Sequence, residues 1–332
     1  MKSHFIIALI LMGVLTFFHS PGYADSTISK SLVPLPPSLK NLPKIKADPW
    51  LQVDPGDLFL EGPAFDRNGN LFVSSIFDNR ILKITPDKQV STVLKQDGLL
   101  PDGIAIHKDG RLFLACLSGK IVAVNPDGSN MTEIRVKYNG FPKSANDLVF
   151  DSKGNLYVTD FIGTVSDPKG GVYRYSSDLK TIKPIFQNLA SANGIGLFPK
   201  GNILWVSETC RNALHRIQLL KDGITINPVA GAGIPYRFTG GPGGCDSLAL
   251  DVDGNVYQAI IFQGRFLILN NRGIPVAQVL MPGRDKGKLL RTTNVAFKPG
   301  TNEVYVTVSG AGGAWIYKFR GLAKGLKLFS HQ

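Results

Sequence analysis

The chain has 332 residues, 43% of them hydrophobic and 19% charged, with a formal net charge of +12. That balance is too apolar for a disordered chain, and the length can bury one large core. The lone cysteines Cys116, Cys210 and Cys245 lack zinc spacing and exclude a disulfide framework, although a single Cys210–Cys245 pair stays open; the basic residues are scattered, with one denser group at Arg284, Lys286, Lys288 and Arg291 but no interleaved aromatics, so nucleic acid is not an expected partner.

Residues 1–24 carry Lys2, an apolar run over 5–18 and the small-residue stretch Gly22-Tyr23-Ala24. They read as a secretory signal peptide, which predicts export to the periplasm or the medium, with no stable membrane insertion once the leader is removed. Residues 25–46 are rich in Ser, Pro and Lys without periodicity, and read as a flexible linker with little to bury. Residues 47–332 then read as one continuous all-β domain. The segment WLQV (residues 50–53) precedes the first repeat and is placed to close a ring as an outer strand of the last blade.

Six copies of one phrase follow: LEGPAFDRNGNLFVSS, PDGIAIHKDGRLFLAC, ANDLVFDSKGNLYVTD, ANGIGLFPKGNILWVS, CDSLALDVDGNVYQAI and TTNVAFKPGTNEVYVT. Their turn glycines, Gly69, Gly110, Gly154, Gly201, Gly254 and Gly300, step by 41, 44, 47, 53 and 46 residues. Such periods, with short strands and hairpin turns inside each, predict a six-bladed β-propeller of four-stranded antiparallel blades.

In a propeller the first strand of each copy runs along the central channel, so equivalent repeat positions converge on one axis. Eight residues before the glycine stand Glu61, Asp102, Asn146, Asn193 and Asp246; the sixth copy offers Thr293 or Asn294. Hard oxygen donors of this kind suit calcium, whereas zinc would want His or Cys. The competing reading is a polar channel whose groups bond one another and buried water. Asp102 either faces the channel, on the substrate side of the ring, or only shapes the turn Leu100-Pro101-Asp102-Gly103. His107 and His215 stand away from the axial register, and His331 falls in a terminus expected to be disordered. No serine-hydrolase elbow or zinc-protease motif is present. Aromatics in loops expected near the mouth, Phe77, Phe161, Tyr236 and Phe238, are the candidate pocket walls.

These residues resemble the senescence-marker/regucalcin and gluconolactonase superfamily of six-bladed propellers. The resemblance rests on Glu61-Gly62-Pro63, Asn146-Asp147, Asn193-Gly194 and the Asp246 strand. Segments such as FDSKGNLYVTDF, LWVSETCRNALHRIQL, IPYRFTGG and PGRDKGKLLRTT are similar to the drug-responsive lactonases of staphylococci. The resemblance implies one catalytic Ca2+ held by Glu61, Asn146, Asn193 and Asp246, with Ser247 as an additional ligand and Asp246 as the proton-transfer residue. The staphylococcal enzymes have Asp where Asn146 stands. Their second, structural calcium needs a longer loop than Leu117-Ser118-Gly119-Lys120, and Tyr138 and Phe141 replace its oxygen ligands, so that ion is not expected here. Ser144 stands where regucalcins carry an arginine, a departure from a sugar-lactone site. The expected function is calcium-dependent opening of a small-molecule lactone by a monomer. The alternatives are a phosphotriester or fluorophosphate hydrolase on the same ring, or a non-catalytic calcium-binding module.

Overall fold

The turn inside each repeat explains the hairpin that starts each blade. In FDRNGN, Asp66 Oδ1 accepts from the amides of Asn68 and Asn70, and Asp66 Oδ2 accepts from Asn70 Nδ2 at 2.7 Å. Asp151 with Asn155 and Asp251 with Asn255 repeat these bonds. Gly69, Gly154 and Gly254 take the left-handed conformation, at φ 80°, 83° and 81°, that lets the chain reverse within this Asx-type turn.

The computed structural model describes residues 31–135, 137–138, 141–142, 144–198, 201–240 and 243–332. The signal-peptide reading of residues 1–24 and the first part of the linker, residues 25–30, lie outside the described residues. The described residues form six antiparallel blades arranged as a propeller. The inner strands are Leu60–Phe65, Pro101–Ile106, Ala145–Phe150, Ala192–Leu197, Cys245–Leu250 and Arg291–Phe297. Each is hydrogen-bonded to the strand that follows it, and the remaining strands stack outward. Asp48–Asp54 pairs antiparallel with Ala314–Arg320, so the N-terminal strand completes blade six and closes the ring, as WLQV suggested.

Hydrophobic cores lie between successive blades rather than within them. One joins blades three and four through Val172, Ile195 and Val206; another joins blades six and one through Tyr305, Ile316 and Leu82. Each buried aliphatic side chain of this kind contributes about 1.5–3 kcal/mol.

Residues 31–46 depart from the flexible-linker expectation. Lys44–Lys46 adds a parallel fifth strand to blade five, and Leu39, 4% exposed, enters the core between blades four and five. Gln278 Nε2 donates to the Leu39 carbonyl at 2.7 Å. Composition concealed this because most of the segment is exposed while Leu39, Leu42, Ile45 and the backbone make the attachment. The C terminus also departs from expectation: Phe329 is buried against Phe150 and His107. All three cysteines are free, and burial pushes the Cys245 thiol up, which suits a core residue rather than a nucleophile. Nor do the basic residues near 284–291 form an open patch. Arg284 is buried on the Gln263 carbonyl, and Arg291 pairs with Asp57 while covering the Phe59 ring.

Candidate active site

The strand ladder slips at the same height in all six inner strands, between Glu61 and Ala64, Pro101 and Ile104, Ala145 and Leu148, Ala192 and Ile195, Cys245 and Leu248, and Thr292 and Val295. A bulge breaks the two-residue alternation and re-aims side chains. Here it turns the axial position toward the channel. Buried hydroxyls on the second strands hold the bulges: Ser207 Oγ accepts from Gly194 N at 2.7 Å and donates to the Asp246 carbonyl at 2.6 Å. Thr159 and Thr307 accept from the amides of Asp147 and Asn294, both at 3.0 Å. Sequence reasoning missed these residues, although the recurring VSS, VTD, VSE and VTV at the second strands was the available signal.

Glu61, Asp102, Asn146, Asn193 and Asp246 together floor a cavity of about 220 Å3. Each is at most 5% exposed. Asp102 therefore faces the channel. Asn146 Nδ2 donates to Asp102 Oδ2 at 2.8 Å, and Asn294 Nδ2 donates to Glu61 Oε2 at 2.9 Å. In the sixth blade the Thr293 hydroxyl, at the axial register, is spent on the Leu60 carbonyl at 2.7 Å, and Asn294 bonds Glu61 from beneath the ring, beside Asp147 in the lining of the opposite cavity. Ser247 lies just behind the ring, with its hydroxyl on Asn193 Oδ1 at 3.3 Å. It does not line the cavity.

Above the ring sits an apolar collar of Phe59, Ile76, Leu117, Phe161, Ile261 and Phe262, with Thr209 and Cys210 as the polar exception at blade four. Of the four aromatic walls expected from sequence, only Phe161 lines the cavity. Phe77 is 48% exposed and touches the site through an edge-on contact with Phe59 at 5.5 Å. Tyr236 and Phe238 are not pocket walls. They pack edge-to-face at 5.0 Å in the core between blades four and five, and Phe238 is 4% exposed. Tyr236 belongs to an outermost strand, roughly 14 Å from the inner strand at three strand spacings. Among the described residues no histidine lines this cavity: His215 is bonded to Glu208 at 2.9 Å, and His107 is stacked among phenylalanines.

Burial raises the pKa of every carboxylate in the ring. Glu61 is pushed well up by burial and then by Asp102 and Asp246; Asp102 is pushed up by burial and then by Asp246 and Asp147. Burial raises Asp246 to about 8 against the opposing Asn193 hydrogen bond, and Asp147, beneath the ring, to about 7. A positive partner would relieve all of these at once. Among the described residues no three acidic, His or Cys side chains gather as a metal cluster, so carboxylates alone do not make a cage. The amide oxygens must share the work. Asp102 Oδ1 and Asn146 Oδ1 are buried acceptors without any hydrogen-bond donor, and such orphaned oxygens fit a hard, oxygen-coordinated divalent cation.

With this geometry in hand, residues 59–310 match the protein-family model described as the SMP-30/Gluconolactonase/LRE-like region. The chain belongs to that family. It is 45% identical to lactonase drp35 of Staphylococcus saprophyticus, covering 92% of this chain and 95% of that protein, and 44% identical to lactonase drp35 of Staphylococcus aureus over the same shares. Among solved structures, a putative gluconolactonase superposes with a TM-score of 0.68 at 23% identity, covering 87% of this chain and 97% of that one. The calcium-binding regucalcin of Agrobacterium tumefaciens superposes at 0.69 with 18% identity, covering 86% and 98%. At these identities the structural likeness establishes the propeller fold alone.

Proposed function

We propose that the protein is a calcium-dependent hydrolase that opens an uncharged lactone at the axial ring. The observation that carries this reading is the set of five oxygen-bearing side chains, two with orphaned oxygens, flooring a cavity under an apolar collar. The overall likeness to the staphylococcal lactonases supports the reaction class. Glu61, Asn146, Asn193 and Asp246 would hold the cation, with Ser247 orienting Asn193 through its hydroxyl. When bound, calcium would polarise the lactone carbonyl and stabilise the charge developing on its oxygen.

The residues of the chain supply the rest. The Asp246 carboxylate takes a proton from the attacking water and returns it to the departing alkoxide. Its carbonyl is pinned by Ser207 Oγ and by Gln258 Nε2, both at 2.6 Å, so the side chain starts from a fixed backbone. Phe161, Ile76 and Ile261 offer the ester ring a dry surface and carry no charge to bind a sugar acid. The reading also takes the mature protein to be a monomer exported after loss of residues 1–24, which light scattering and N-terminal sequencing of the secreted form would check.

The decisive experiment is a panel of lactones and phosphotriesters assayed with calcium and after chelation. Lactone turnover that disappears with chelator and returns with calcium supports the reading. Preferential phosphotriester cleavage, or turnover indifferent to chelation, overturns it.

A further inference from the structure

We propose that Asp102 is a fifth side-chain donor to the cation of the ring, supplying at blade two the negative charge that Asn146 lacks at blade three; this rests on the calcium reading above. Asp102 and Asn146 occupy equivalent repeat positions on neighbouring inner strands, 3% and 4% exposed. The amide nitrogen of Asn146 points at Asp102 Oδ2 at 2.8 Å, which commits the amide oxygen to the other direction. That oxygen and Asp102 Oδ1 have no donor. An ionised Asp102 cannot satisfy the amide oxygen, and neither Lys nor Arg lines the cavity to satisfy either. A shared positive ion satisfies both.

The surrounding backbone keeps the pair in place. Ser74 Oγ donates to the Asp102 carbonyl at 2.5 Å. Gly62 of blade one approaches so closely that a Cβ there would fall 2.3 Å from that carbonyl oxygen, and a Cβ on Gly103 would fall 2.5 Å from Asp147 Oδ1. Any side chain at Gly62 or Gly103 would push Asp102 off the axis. Glycine at both positions therefore lets adjacent blades bring an aspartate and an asparagine side by side at the ring. With Asp102 included, the carboxylates lining the cavity are Glu61, Asp102 and Asp246.

The test is calcium affinity of the metal-stripped, refilled full-length mature protein, measured by competition with a chelating dye. Asp102→Asn preserves size and an oxygen while removing the charge, and should weaken the Kd by roughly tenfold or more, because affinity follows ligand charge. The double variant Asp102→Asn/Asn146→Asp moves the charge one blade over and should restore the Kd to within about threefold of the parent. A parent-like Kd for Asp102→Asn, or a double variant no tighter than the single, overturns the proposal while leaving the ring's calcium reading intact. A parent that binds no calcium overturns both. If the single variant fails to fold, the charge-conserving double variant decides: near-parent affinity supports the assignment, and a loss beyond about tenfold overturns it.

Discussion

The two ends of the six inner strands meet on the same axis but hold their polar groups differently. At their N-terminal end, side chains from five blades present oxygen to a cavity of about 220 Å3. Three residues further along each strand stand Ala64, Ala105, Val149, Gly196, Ala249 and Ala296, small residues around a second cavity of about 130 Å3. Leu326, Leu328 and Phe329 of the C-terminal segment close that end. Radial symmetry brings equivalent positions together at every height, so convergence alone does not make a site. The difference lies at the bulge, where the ladder is broken and hydroxyls from the second strands hold buried polar groups in place. One end thus stores unsatisfied acceptors, while at the other Asp147 and Asn294 each accept from the next backbone amide, and Ser330 and His331 join a mostly aliphatic lining.

The largest effect should come from breaking the polar end. Asp246→Asn keeps an oxygen for the cation but cannot accept a proton, so lactone kcat should fall by about 100-fold or more. Calcium should remain bound in the same sample, as read by metal analysis. Wild-type turnover in the loaded variant would remove Asp246 as the base.

The apolar end should respond in the opposite manner. Phe329→Ala opens a gap against Phe150, His107 and Gly154 and should cost about 3–5 kcal/mol in urea unfolding. Its kcat/KM at a temperature where it stays folded should lie within about twofold of the parent, because Phe329 lies at the far end of the channel from Asp246. A turnover loss comparable to that of Asp246→Asn would show that the two ends are not separable.

Truncation at the N terminus sharpens the contrast between closure and support. Removing residues up to Asp54 takes away the outer strand of blade six and should abolish cooperative melting. Stopping at Lys46 loses mainly Leu39 and the parallel strand on blade five, at a cost of about 2 kcal/mol. Equal stability of the two truncations would place ring closure elsewhere.

A smaller effect should appear in the pH dependence of the metal-free protein. Asp246 and Asp147 are raised to about 8 and about 7, above the value near 3.9 of an unfolded aspartate. The folded state therefore holds these protons more strongly, and the stability they contribute is lost progressively from about pH 4 until pH has risen through 7 and 8. Glu208 works the other way: burial opposes its charge, but His215, the Ala190 amide and Arg211 hold its carboxylate below the usual range, so its contribution is lost only at acid pH. The melting temperature of chelated protein should fall between about pH 5 and pH 8, and calcium should flatten that slope by favouring the ionised ring. A chelated protein whose melting temperature rises over that interval would contradict the buried-carboxylate picture.

Much of this was legible without coordinates. In the first, third and fifth repeats the turn glycine sits beside an Asp and an Asn that build the same hairpin locally, and all six glycines share positive φ, so blade number followed from spacing. The axial register followed too, since Glu61, Asn146, Asn193 and Asp246 need only equal distance from that turn. Placement of WLQV in blade six was legible because a ring with one strand missing demands an edge partner.

What the sequence could not determine depends on which distant atoms come to lie together. Thr293 and Asn294 look interchangeable in the sixth repeat; only the packing of blade one beside blade six spends the threonine on the Leu60 carbonyl and sends the amide to Glu61. Tyr236 and Phe238 are aromatics near loops, as Phe161 is. Distance across the blade, set by strand order, puts them in a core while Phe161 meets the cavity. The docking of Leu39 and Phe329 has no local signature, because the short stretches around them show no period and their partners lie far along the chain. The sequence by itself thus set the repeat, the turns and the ring's donor types, which depend on neighbours within a few residues. Tertiary structure decided which donors are left unpaired at the axis, because that depends on how adjacent blades meet.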